Sequence, residues 1–187
     1  MSKAGISKVP QAAVATFVGT EFDSITGRGG NDGTPLRKTP WGEIAWQLGG
    51  QECFAAVAEH ERQFTEPKGD VIQRFLPRDR PCLILVDEVI SYVSTYRRHG
   101  YHNCLYNFLE ALSETARGLD NVVLVVSVPS SIISYTDADE SDEQRFRHML
   151  DRLGKGVIMA AEEETSEIIR RRLFEARGAD RRPQGGG

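Results

Sequence analysis

Residues Pro81 to Glu88 read Pro-Cys-Leu-Ile-Leu-Val-Asp-Glu, an apolar run that ends abruptly in two adjacent carboxylates. A run this short, opened by proline and closed by charge, reads as a buried strand, and buried strands of this kind belong to parallel sheets covered by helices. Such a strand delivers Asp87 to the carboxyl edge of the sheet, where ligands of open α/β folds collect. Two acids at that edge suit Mg²⁺-nucleotide chemistry. Asp87 would hold the metal or its water shell, and Glu88, one residue on and pointing elsewhere, would orient and deprotonate an attacking water. The plain alternative is a core strand followed by a helix whose acidic first turn is favoured by the helix dipole.

The rest of the chain supplies the context for that strand. Ala12 to Val18 is a short apolar run with β-branched members, broken by Gly19-Thr20, and reads as a first parallel strand. Ser24 to Pro40, with Gly27, Gly29, Gly30, Gly33 and two prolines, is expected to be an exposed, mobile loop. Trp41, Ile44, Ala45 and Leu48 follow helical spacing up to Gly49-Gly50, and Phe54, Val57 and Ala58 mark a second helix. Val71 to Leu76 predicts a third helix, stopped by Pro77. Helix is expected again from Val89, and then a stronger one with Leu105, Phe108, Leu109, Leu112 and Ala116 on one face. Val122 to Val126 is a second fully apolar run, continuing into Ser127, and reads as another buried parallel strand. An acidic loop, Asp137 to Glu143, leads to a helix carrying Phe146, Met149, Leu150 and Leu153. Val157 to Ala160 offers a short strand, and Glu162 to Ala176 a last helix before a polar tail. Strands alternating with helices give an α/β fold with a parallel sheet.

Composition narrows the function. The net charge of −4 argues against general electrostatic attraction to nucleic acid, so any such contact is local. Three cysteines without a Cys-x-x-Cys pair suit a reduced, cytoplasmic setting. No apolar run approaches the roughly 18 residues of a membrane helix, and no membrane partner is expected.

Two buried strands, one ending in Asp-Glu and the next in a hydroxyl residue, with helix between, resemble the Walker B and sensor 1 strands of AAA+-like P-loop ATPases. The resemblance puts Ser127 at the sensor 1 place, where, beside Glu88, it helps hold the attacking water or senses the γ-phosphate. Val18-Gly19-Thr20, the run Thr39-Pro40-Trp41-Gly42-Glu43-Ile44-Ala45-Trp46-Gln47-Leu48-Gly49-Gly50 and Leu83 to Glu88 together resemble one particular family. It is a family of large bacterial and archaeal ATPases, known mainly as a domain of unknown function and often encoded beside methyltransferases and helicases in defence islands. The likeness spans about residues 12 to 176, and its most particular part is the Trp41 to Gly50 run.

The resemblance implies a partial P-loop NTPase (AAA+-like) fold, with ATP and Mg²⁺ as cofactors. An ATPase core would cover 12–160, the start of a lid helix 161–176 and a disordered tail 177–187. It also implies partners: a homo-oligomer through ATPase interfaces, nucleic acid, or defence-system proteins. One departure limits this. No Gly-x-x-x-x-Gly-Lys-Ser/Thr occurs, the glycines of Gly27 to Gly33 lack the lysine and hydroxyl that hold phosphate, and no Ser or Thr follows Gly154-Lys155-Gly156. In such ATPases the phosphate loop and its strand precede the strand that Ala12 to Val18 resembles. The missing strand would lie between the Ser127 strand and the Val157 strand. The expectation is therefore a fragment of an ATP-hydrolysing protein, inactive by itself and an ATPase when an upstream phosphate loop is supplied. The alternative is a non-catalytic P-loop-like module that binds a partner protein or nucleic acid.

Other constellations carry less. His99, His102 and Cys104 lack a fourth ligand at zinc spacing. Asp137 to Glu143 lacks the glycine of a calcium loop and reads as a solvated acidic segment. Tyr96, Arg97, Arg98, His99 and Tyr101 interleave aromatic and basic side chains, which suits either nucleic-acid contact or a solvated helix end. Arg152 stands about where AAA+-like proteins often carry an arginine that reaches a neighbouring subunit, or is a plain surface arginine. Arg170 to Arg172 suit the polar face of the lid helix.

Overall fold

The structure, a computed structural model, describes residues 11–128 and 136–155. The two apolar runs and the shorter first one form strands β1 (Ala13–Val18), β2 (Cys82–Asp87) and β3 (Val122–Val126). All are parallel, in the order β1-β2-β3, with Ala13 opposite Cys82 and Cys82 opposite Val122. Helices fill the connections: α1 (Pro40–Gln63), α2 (Gly69–Phe75), α3 (Val89–Tyr96) and α4 (Tyr101–Arg117), with α5 (Asp137–Leu153) after β3. The α/β class with a parallel sheet and flanking helices is what the alternating pattern predicts. Val157 to Ala160, the 161–176 helix with Arg170 to Arg172, and the 177–187 tail lie outside the described residues. No helix among the described residues is long and apolar enough to cross a membrane.

One face of the sheet is core. Ala13, Ala15, Phe17, Cys82, Ile84, Val86 and Val122 are buried against α1 and α4, and the predicted stripe Leu105, Phe108, Leu109 and Leu112 of α4 is buried with them. Burial also pushes the Cys82 thiol up to about 11. The opposite face differs from expectation. Val122 to Val126 reads as a strand covered on both sides, yet Val123 is 55% exposed, Val125 47% and Val14 46%. Strand side chains alternate, so these three share the uncovered face.

The 24-residue α1 is not straight. Thr39, its N-cap, would lie about 33 Å from Glu61 along an ideal helix, yet the Thr39 backbone N–H donates to the Glu61 carboxylate at 3.2 Å and its hydroxyl donates to the same group. The chain reverses at Gly49-Gly50, where Gly50 has φ 58° and ψ −138°, a conformation glycine adopts without a Cβ penalty. Two segments, 40–48 and 51–63, thus form a helical hairpin. Trp41 is fully buried against Phe64 and Phe108, while Gln47 reaches β1. The Gln47 amide accepts from the Thr16 backbone N–H at 2.8 Å and donates to the Thr16 carbonyl at 2.9 Å, standing in for a strand neighbour at the sheet edge.

The glycine-rich segment is more tightly held than its composition predicts. Arg28 and Arg37 form an antiparallel bridge, and Ser24, Arg37 and Thr39 are buried. Arg37 donates to buried Glu43 at 2.8 Å, and Arg28 and Gln47 donate to the same carboxylate. Burial alone would raise the Glu43 carboxyl, but these three donors outweigh it and hold it below the usual carboxylate range.

The Asp137 to Glu143 stretch also differs: it is the start of α5. Thr136 caps the helix in a box with Asp139, and the acidic residues sit where the dipole favours them. Asp139, only 4% exposed, receives Arg97 at 2.7 Å, and Arg97 also donates to Asp142. Burial opposes ionisation of Asp139, yet the Arg97 and Thr136 hydrogen bonds prevail and bring its carboxyl down from 3.8 to about 2. A carboxyl depressed by folding stabilises the fold above its unfolded value and loses that contribution as pH falls through its folded value. Between pH 4 and 2, urea unfolding is therefore expected to show a loss of about 2 kcal/mol that is absent from Asp139→Asn. Equal acid sensitivity of both proteins would show that Asp139 is not the group responsible.

Candidate functional site

Strand register decides which side chains meet at the carboxyl edge. Asp87 lies on the uncovered face with Leu83 and Leu85, and Ser127 follows Val123 and Val125 on the same face. The Ser127 N–H donates to the Val86 carbonyl at 2.9 Å, which sets Ser127 beside Asp87 across the strands. Its hydroxyl donates to Asp87 Oδ1. Both residues are exposed to solvent. The Glu88 backbone N–H also donates to Asp87 Oδ1, at 2.9 Å, so this oxygen accepts twice, while no described group donates to Asp87 Oδ2.

Glu88 is the N-cap of α3, but it does not behave as one. Helix N-caps usually have extended backbone and a side chain that accepts from the first turn. Glu88 has φ 55° and ψ 40°, makes no side-chain cap bond, and α3 has no acid in its first turn. A left-handed conformation at a non-glycine residue costs about 1–2 kcal/mol. Glu88 thus stands at the start of α3 without making the side-chain bond of an ordinary cap. The half-buried Glu88 carboxylate accepts from Ser91 Oγ at 3.1 Å.

Three contacts around this edge are not given by the motifs themselves. Gly19, just after β1, donates to the Asp87 carbonyl at 2.9 Å, and a Cβ on it would meet the Glu88 carbonyl oxygen at 2.1 Å. Ser91 is the one described donor to the Glu88 carboxylate. Tyr92 and Tyr96 of α3 hold the segment after β1: Ser24 Oγ lies 2.7 Å from the Tyr92 hydroxyl, and the Tyr96 hydroxyl accepts from the Ser24 N–H and donates to Asp23, each at 3.0 Å. Burial raises the Tyr92 phenol well above the usual tyrosine range, so it stays a neutral hydrogen-bonding group. Only the helical period of Tyr92 and Tyr96, which places them on one face, signals their partnership in the sequence.

The remaining candidates are placed elsewhere. Tyr96 is buried and Arg97 is paired with Asp139 and Asp142, so the Tyr96 to Tyr101 stretch presents no continuous basic and aromatic stripe. Arg152 donates to Glu110 within the chain. No group of three or more metal-binding side chains of the His, Cys, Asp and Glu types occurs among the described residues. A groove of about 270 Å³ runs beside β3 between α4 and α5, lined by Val122, Leu124, Val126 and Leu150 among others. None of Asp87, Glu88 and Ser127 lines it, and its walls are mainly apolar.

Comparison with known proteins yields one match. The family model of the DUF499 N-terminal domain matches residues 30–161, more than half of the chain. No curated protein and no solved structure matches it.

Proposed function

This chain belongs to the DUF499 N-terminal domain family, and we propose that Asp87, Glu88 and Ser127 form the metal-holding and water-activating half of an AAA+-like ATPase site. The observation that carries the reading is the backbone of Glu88: a left-handed glutamate placed directly after an aspartate at a sheet edge favours a functional arrangement over an ordinary capping one. The Asp87–Ser127 bond supports it, because it joins the end of the Walker B-like strand to the end of the sensor 1-like strand. The order β1-β2-β3 supports it as well, being the three adjacent strands that a partial P-loop NTPase fold retains. In this reading a phosphate-loop strand would pair at the outer edge of β3.

The residues fit Mg²⁺ in a limited way. Mg²⁺ takes hard oxygen ligands, keeps several waters and needs only one or two carboxylates when phosphates supply the rest. Asp87 offers one carboxylate oxygen to which no described group donates, which suits that role. When bound, Mg²⁺ would neutralise charge on the phosphates. Glu88 supplies the base that takes a proton from water, and Ser127, bonded to Asp87, supplies a hydroxyl at the same sheet edge. ATP itself is not accommodated by the described residues alone, since no backbone cradle with its lysine is present. Hydrolysis is thus assigned to a protein in which a phosphate loop completes the site, and membership of a defence system remains an implication of the likeness.

The test is ATP turnover by the full-length natural protein. Asp87→Asn is expected to raise the Mg²⁺ concentration needed for half-maximal turnover by about tenfold or more, because the neutral amide is a weaker ligand. A full-length protein without ATP turnover would sink the reading. It would leave the second one, a non-catalytic module that binds a partner protein, which the uncovered valines Val14, Val123 and Val125 favour.

A further inference from the structure

We infer that Ser91 is a positioning residue for Glu88, holding its carboxylate in the orientation from which it takes a proton from water. The inference rests on the assignment of Glu88 as base and adds to it the group that aims it. Glu88 and Ser91 occupy the N-cap and third positions of α3, the two positions of a capping box. In a capping box each side chain bonds to the other residue's backbone N–H, as Thr136 and Asp139 do in α5. In α3 the Glu88 N–H goes instead to Asp87 Oδ1, and Ser91 Oγ donates to Glu88 Oε2 at 3.1 Å.

Ser91 differs from three other helical hydroxyls and, like Ser94 on Asp139, bonds a carboxylate. Ser113, Thr115 and Thr95 each donate back to the carbonyl four residues earlier, at 2.6, 2.7 and 2.8 Å. The carbonyl four residues before Ser91 belongs to Asp87 and accepts from the Gly19 N–H. Ser91 instead donates to the carboxylate. The Glu88 backbone is already fixed by its own N–H on Asp87, by its carbonyl accepting from the Tyr92 N–H at 3.3 Å, and by the close approach of Gly19. What remains free is the glutamate side chain, and one hydrogen bond to Oε2 removes most of that freedom while leaving Oε1 to accept a proton.

The experiment uses the full-length natural protein with Ser91→Ala, Ser91→Thr and Glu88→Gln. For Ser91→Ala, kcat for ATP is expected to fall about tenfold, from loss of a charge-assisted hydrogen bond that orients the base. KM and the thermal midpoint stay at wild-type values. Ser91→Thr, which keeps the hydroxyl, restores kcat, and a crystal structure of Ser91→Ala shows the Glu88 carboxylate in more than one orientation. Ser91→Ala with wild-type or higher kcat, beside an inactive Glu88→Gln, overturns the role of Ser91 alone. A loss of kcat matched by changes in KM and thermal midpoint, without rescue by threonine, overturns it in favour of a structural role. Wild-type turnover by Glu88→Gln overturns the assignment of the base, and this inference with it.

Discussion

Glu88→Gln is expected to lower ATP turnover by the full-length natural protein by at least about a hundredfold, the usual weight of a positioned general base. The amide has the size of the carboxylate and can still accept from Ser91 Oγ, but it cannot take a proton. It also faces the same backbone geometry, φ 55° and ψ 40°, so stability should change by less than about 0.5 kcal/mol. Mg²⁺-ATP affinity, measured by titration calorimetry, should hold, since neither metal nor phosphate is assigned to Glu88. Glu88→Gly separates function from scaffold still further. Glycine adopts the left-handed conformation without strain, so the variant is expected to unfold at no lower temperature than wild type while turnover disappears. Turnover unchanged in Glu88→Gln, or a large drop in stability of Glu88→Gly, would mean that the glutamate is held there for the fold.

Gly19→Ala is expected to be strongly destabilising. Its Cβ would lie 2.1 Å from the Glu88 carbonyl oxygen and 3.0 Å from Tyr92 Cβ, and the first of these is backbone that a rotamer change cannot move. Relief requires β1 and the start of α3 to separate, which breaks the Gly19 N–H bond to the Asp87 carbonyl. Overpacking of this kind costs about 3 kcal/mol, or roughly 10 °C in thermal midpoint for a domain of this size. Gly118→Ala is the control. Its Cβ would meet only the Thr115 carbonyl at 3.5 Å, an ordinary contact, so the midpoint should stay within about 2 °C of wild type. If both variants melt alike, the close approach at Gly19 does not carry the expected cost.

Most of the architecture follows from local pattern. Apolar runs bounded by glycine, proline or charge become β1, β2 and β3, and the period of Leu105, Phe108, Leu109 and Leu112 becomes the buried face of α4. Gly49-Gly50 marks a helix end, as glycine pairs do. That the two helices fold back on each other is not legible there, because it depends on Glu61 meeting Thr39 across 22 residues. The loop from Ser24 to Pro40 is misjudged for a related reason. Its glycines speak for mobility, whereas its order comes from Arg37 and Arg28 finding Glu43, and from Ser24 finding Tyr92 and Tyr96. Composition records the freedom of a segment and not the distant partners that remove it.

The run from Trp41 to Gly50, the most particular part of the family likeness, turns out to build the scaffold. Trp41 fills the core, Glu43 anchors two arginines, Gln47 closes the edge of β1, and Gly49-Gly50 makes the reversal. The proposed site lies elsewhere, at the ends of β2 and β3.

By itself the sequence determined the elements of this protein and the identity of its candidate residues, because apolar periodicity and the Asp-Glu ending are local properties of the chain. Tertiary structure alone decided how those residues relate. Strand register put Ser127 on Asp87, and the chain packs Gly19 closely against the left-handed Glu88. The turn into α3 gave its carboxylate to Ser91. Each of these depends on a hydrogen bond or a contact that exists only once the sheet has formed.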